Sequence, residues 1–128
     1  MKETFSLVKK KIIVVPTIKG LKDNQDFNFI IDTGASVSII NETAAAFLGF
    51  DLKRLKTENL TTVSGKLNAK ILKLPKIELF GKSVVNFEVK VVNLPTQITL
   101  LADGLIGMDF LLNFKEFKIN FEEKTIEI

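Results

Sequence analysis

The stretch Phe29-Ile30-Ile31-Asp32-Thr33-Gly34 constrains this chain more than any other. Three apolar residues in a row show no polar alternation, so they read as a buried strand. An acid stands at the strand's end, and Thr-Gly after it makes a tight turn. Ala35, Val37, Ile39 and Ile40 lead out, so the carboxylate is set in apolar surroundings, where a charge costs free energy unless it is hydrogen-bonded or shared. Two readings follow. Asp32 is a turn residue accepting from backbone N–H groups just downstream, or it is a carboxylate held in place for chemistry.

The chain's absences narrow the chemistry. It has no His, which removes the Ser-His-Asp and Cys-His mechanisms and imidazole metal sites, and no Cys, which removes disulfides and thiolates. Acid–base work falls to carboxylates or lysines. No metal and no organic cofactor is implied. With 128 residues, 46% hydrophobic and 26% charged, one globular domain spanning residues 1–128 is expected. Its core is aliphatic with phenylalanine, since there are 11 Phe and no Trp or Tyr. The net charge of +3 is spread out except at Lys9-Lys10-Lys11 and Lys53-Arg54-Leu55-Lys56, which lack aromatic interleaving and read as solvated surface, not as a nucleic-acid site. The apolar run after the N-terminal lysines lacks a small-residue cleavage site, and no segment is long enough to span a bilayer, so no membrane partner and a cytoplasmic location are expected.

Short apolar or alternating runs separated by Gly, Asn, Asp and Lys predict a mostly β fold. Ile12 to Ile18 and Phe27 to Ile31 form a first hairpin. Asn41 to Phe50 reads as a short helix with Asn41 at its N-cap, no capping box because Ala44 stands three residues on, and Gly49 as its stop. Leu60 to Leu72 reads as a hairpin with its tip at Ser64-Gly65. Leu72 to Val92 makes two more strands about Gly81, with Val85, Phe87, Val89 and Val91 on one face and Asn86, Glu88 and Lys90 on the other. Thr99 to Phe114 is an apolar strand, a glycine-flanked crossing and a short helix; Phe117, Ile119 and Phe121 begin a last hairpin to Ile126 and Ile128. The pattern around Asp32, a strand, an Asp with a Gly and a helix, is loosely echoed from Asp103 to Leu112.

Asp32 to Ser36, "DTGAS" after "FII", resembles the active-site signature of aspartic proteases, and one such triplet in so short a chain resembles the retropepsin-like branch. Val63 to Gly65 lies where that family has its flap. Asp103 to Leu111, "DGLIGMDFL", is similar to the segment preceding the family's C-terminal helix. The resemblance implies an all-β, retropepsin-like acid protease barrel of the double-psi type with one or two short helices. It also implies an aspartic endopeptidase acting on polypeptide substrates. Because peptide hydrolysis of this kind uses two carboxylates sharing one proton and the chain has one triplet, a homodimer with Asp32 from each subunit is expected. By the same resemblance Thr33 cross-links the two active-site loops, Gly34 offers its carbonyl to the peptide, and Ala35 and Ser36 complete the loop, Ser36 hydrogen-bonding within it. Val63, Ser64 and Gly65 form the flap that closes over substrate, and Gly107 lets its strand pass behind the loop.

Ser36 stands where retroviral members carry a second acid, and Met108 where they carry Arg, so substrate anchoring and interface contacts do not carry over. Leu105 and Ile106 read as core, and Asp103 and Asp109 as turn and helix caps. Two alternatives remain beside the enzyme: a catalytically silent dimeric peptide-binding module of the same fold, and a structural β-domain in which Asp32 is a turn cap.

Overall fold

The computed structural model describes residues 1–63 and 65–128. In chain order the strands are β1 (Lys2–Thr4), β2 (Ser6–Val8), β3 (Lys11–Val14), β4 (Thr17–Lys19), β5 (Asn24–Asp26), β6 (Phe29–Ile31), β7 (Ile39–Asn41), β8 (Thr57–Thr62), β9 (Gly65–Leu79), β10 (Lys82–Val92), β11 (Gly104–Ile106), β12 (Lys118–Asn120) and β13 (Thr125–Glu127). The helices are α1 (Glu42–Phe47), α2 (Thr96–Thr99) and α3 (Met108–Leu111), with a 3-10 turn at Leu52–Arg54. The fold is all-β in character, with three short helices instead of one or two.

A large sheet runs in the order β2-β3-β6-β11-β7-β10-β9-β4-β5, with β8 on β9, and a three-stranded sheet joins β1-β13-β12. The first hairpin is present but broken on both arms: β3 pairs with β6 while β4 pairs with β5. Pro16 supplies the break, since it has no N–H to continue a ladder. Phe29 and Val14 enter the main core, whereas Ile13 and Ile30 pack with Ala102 in a second cluster on the opposite face. Cover on both faces is why the run before Asp32 is continuously apolar.

Strand β11 lies between β6 and β7, parallel to the first and antiparallel to the second. The segment between β6 and β7 is thereby anchored on the strand of the second, echoing motif. Gly104 and Gly107 flank that strand because a side chain at either would strike backbone; a Cβ at Gly107 would lie 2.7 Å from the Val37 carbonyl oxygen and 2.8 Å from that of Ala35.

Three expectations need correction. Thr99 to Leu101 is not a strand: Pro95, in extended conformation, starts the helical turn α2, and Ile98 and Leu101, three residues apart, turn together onto the second cluster. The strand expected from Leu72 is continuous with the arm of the preceding hairpin, making one strand of 15 residues, β9. On β10, Val85 is 65% exposed and Lys90 only 7%. The phase changes at Asn86, whose φ is +52°. Pairing passes from Val85↔Lys76 to Phe87↔Leu74, skipping Asn86 and Pro75, where proline offers no donor. The inward residues accordingly switch from Ile77 and Leu79 to Leu72 and Leu74 on β9.

The core is aliphatic with phenylalanine. Rings of Phe87 and Phe110 meet edge to face at 5.6 Å, and Phe110 continues to Phe114 at 5.9 Å. These contacts fix α3, which follows Gly107, against β10.

Candidate active site

Asp32 leaves β6 with its N–H donating to the Ile106 carbonyl oxygen at 2.9 Å, so the end of β11 holds the base of the loop. The Gly34 N–H donates to Asp32 Oδ1 at 3.0 Å, and the Ala35 N–H to the Asp32 carbonyl oxygen at 3.1 Å. The first contact is what a turn cap makes, so the hydrogen bond alone does not separate the two readings of Asp32. Its position does. Among the described residues the other carboxylate oxygen has no partner, and the side chain is half-buried on an open groove of about 290 Å³.

That groove brings together most of the residues singled out from the sequence. Asp32, Gly34, Ala35 and Ser36 form its floor, joined by Val37 and Ile39, while Leu60, Thr61, Thr62 and Val63 of the hairpin form its opposite wall. Thr33 is exposed and does not line it; among the described residues its hydroxyl has no partner within the chain. Gly65 opens β9, pairs with Thr62 and has a φ of +124°, a conformation that side chains rarely adopt. Ser64, the other expected tip residue, lies outside the described residues. Ser36 is exposed; its carbonyl oxygen accepts from the Asp109 N–H of α3 at 3.2 Å, and among the described residues its hydroxyl makes no hydrogen bond within the loop.

The sequence reading missed the serine that organises the loop from behind. Ser38 is fully buried. Its hydroxyl donates to Asp109 Oδ1 at 2.7 Å and accepts from the Gly107 N–H at 3.0 Å, while its N–H donates to Asp109 Oδ2 at 2.9 Å. Met108 N–H then donates to the Ala35 carbonyl oxygen at 2.8 Å. Asp109 therefore does more than cap α3 through the Phe110 N–H; it ties α3 to the loop. No local signal marks Ser38: residues 33–38 are turn and bend ahead of β7, where strand alternation does not apply. Asn41 stands at the N-cap position of α1 but makes no side-chain cap bond; its Oδ1 accepts from the Leu94 N–H at 2.9 Å instead.

Behind the groove lies a buried cation. Lys90 Nζ is 2.7 Å from Glu58 Oε1 on β8 and 3.2 Å from Glu88 Oε2. Burial opposes charging of this amine, but hydrogen bonds to Glu58 and Glu88 and their negative charges outweigh it, so its pKa is held above the ordinary lysine value. Among the described residues, no group of acids is arranged to hold a metal ion and no helix is long and apolar enough to cross a membrane.

Comparison with known proteins gives a consistent result. Residues 15–110 match the family described as aspartyl protease. A curated relative, an uncharacterized protein of Rickettsia prowazekii, is 32% identical over 104 residues, covering 80% of this chain. The chain spans only 42% of that relative's length. Among solved structures, a retropepsin-like aspartic protease from Rickettsia conorii superposes with a TM-score of 0.73 at 25% identity, covering 98% of this chain and 88% of the other. EIAV protease in complex with the inhibitor HBY-793 superposes with a TM-score of 0.62 at 17% identity, covering 84% and 91%, a likeness of fold.

Proposed function

The chain belongs to the aspartyl protease family and has a retropepsin-like fold, and from that premise we propose that it is an aspartic endopeptidase whose catalytic site is completed by a second copy of itself. The observation that carries this reading is the placement of Asp32. One oxygen is fixed by the Gly34 N–H, and the side chain borders a groove walled by residues 60–63. The chain contains one Asp-Thr-Gly triplet, and the chemistry needs two carboxylates.

Two Asp32 carboxylates a few ångströms apart cannot both ionise, so they hold one proton between them, the pairing known for aspartic proteases. The ionised member takes a proton from a water whose oxygen attacks the peptide carbonyl carbon, and the protonated member gives its proton to the carbonyl oxygen. The tetrahedral intermediate then returns a hydroxyl proton to the pair. The carbon–nitrogen bond breaks as the leaving amine takes the other proton, and the singly protonated pair is restored. Thr33, exposed and without a side-chain partner among the described residues, would donate its hydroxyl to the backbone of the facing loop. Residues 63–65 would close over an extended peptide and pair with it through main-chain bonds.

The test is incubation with a diverse peptide mixture at several pH values, with products read by mass spectrometry. Wild type is expected to cleave, and Asp32→Asn to lose cleavage by several orders of magnitude while keeping its fold, because Asn preserves the loop's shape but cannot take a proton. Cleavage retained in Asp32→Asn would sink the mechanism. Peptide binding without cleavage by wild type would make the protein a silent binding module.

A further inference from the structure

Lysine is among the residues least often buried, and when buried it is held by partners. Lys90 is buried in the middle of the large sheet, and its partners belong to different parts of the molecule. Its side chain reaches Glu58, on the root of the hairpin that walls the groove, at 2.7 Å, and Glu88 on its own strand at 3.2 Å. Its backbone N–H donates to the Ser38 carbonyl oxygen at 3.1 Å. Ser38 in turn holds Gly107 and Asp109, whose neighbours and backbone hold Ala35 and Ser36. One residue thus grips the root of the flap with its side chain and the rear of the active-site loop with its backbone.

We propose that Lys90 is a positioning residue, a clasp that fixes the flap hairpin against the active-site loop through its ion pair with Glu58. This rests on the peptidase reading for its catalytic consequence, but the clasp itself is a property of the folded chain. Among the described residues, β9 is the one strand that β8 pairs with. Loss of the clasp lets the hairpin root move and lowers the fraction of molecules with the flap in position. Apparent substrate affinity falls by that fraction.

Glu58→Gln is the cleanest probe, because the Glu58 side chain is 39% exposed and Lys90 keeps Glu88. Its KM is expected to rise by roughly 2- to 30-fold, the range for residues that couple two parts of a structure, with kcat nearly unchanged. Lys90→Met, which also gives up Glu88, should do the same, and the double variant should be no worse than the more affected single one, since both remove the Lys90–Glu58 contact. Lys90→Arg, which keeps the charge, should recover most of the loss. Hydrogen exchange supplies a readout independent of cleavage: amides of β8 and the facing part of β9 should exchange faster in Glu58→Gln, and those of the β1-β13-β12 sheet should not. If wild type cleaves nothing, the proposed function falls and exchange still decides the clasp. Unchanged β8 exchange in Glu58→Gln would overturn it. So would a uniform rise across all sheets with a loss confined to kcat, which is the signature of a purely structural charge. Should Lys90→Met fail to fold, Glu58→Gln alone decides.

Discussion

Ser38 joins three groups that would otherwise be strangers in the interior: two oxygens of Asp109 and the N–H of Gly107. Ser38→Ala keeps the backbone bond to Asp109, and Asp109 Oδ1 keeps the Phe110 N–H, but the Gly107 N–H is left without its partner. An unpaired buried polar group costs about 1–3 kcal/mol. Denaturant unfolding should register a loss of that size, and a change below about 0.5 kcal/mol, the range of an ordinary surface substitution, would show that water replaces the hydroxyl. At this scale Asp32 breaks a local rule, being an acid in an apolar run, whereas Gly107 is marked only by the resemblance to the family. Ser38 and Lys90 break none locally. A lysine alternating with valines looks like an outward residue of a half-buried strand, and a single serine after a turn carries no pattern; the elements that cover them, α3 behind Ser38 and β8 over Lys90, are what bury both.

Among the elements, the hairpins were legible because turn chemistry is local. Pairing on β8 and β9 runs to Thr62↔Gly65, which puts Gly65 in the ladder instead of at the tip expected at Ser64-Gly65, and the turn before β10 has Phe80 and Gly81 both at positive φ, as a two-residue hairpin turn requires. The change of face shared by Pro75 and Asn86 was not legible, since alternation read from either side looks regular until the two strands are laid together. The flap hypothesis belongs to this scale. A Cβ at Gly65 would meet nothing within 4 Å, so Gly65→Val meets no clash, and its penalty is the backbone strain of a positive φ, about 1–3 kcal/mol. That strain should distort the tip and reduce kcat/KM at least several-fold, with the dimer dissociation constant little altered in sedimentation or light scattering. Equal losses in both, or no loss in either, would mean that this hairpin is not a lid.

For the molecule as a whole, the terminal strands are already paired at home. The Met1 amino group donates to the Ile128 carbonyl oxygen at 3.0 Å, and β1 runs beside β13 from Lys2↔Glu127 to Thr4↔Thr125. Under the proposed function neither copy has a complete site alone, and subunit mixing tests this directly. Wild type and Asp32→Asn are combined in equal amounts at constant total protein, under conditions that allow subunit exchange, and peptidase activity is compared with that of wild type alone. If each site needs Asp32 from both subunits, only wild-type pairs are active, and random pairing leaves about one quarter of the activity, as the symmetry of a shared site requires. Activity remaining at about one half after full exchange would mean that a single chain carries its whole catalytic site, contradicting the shared-site account.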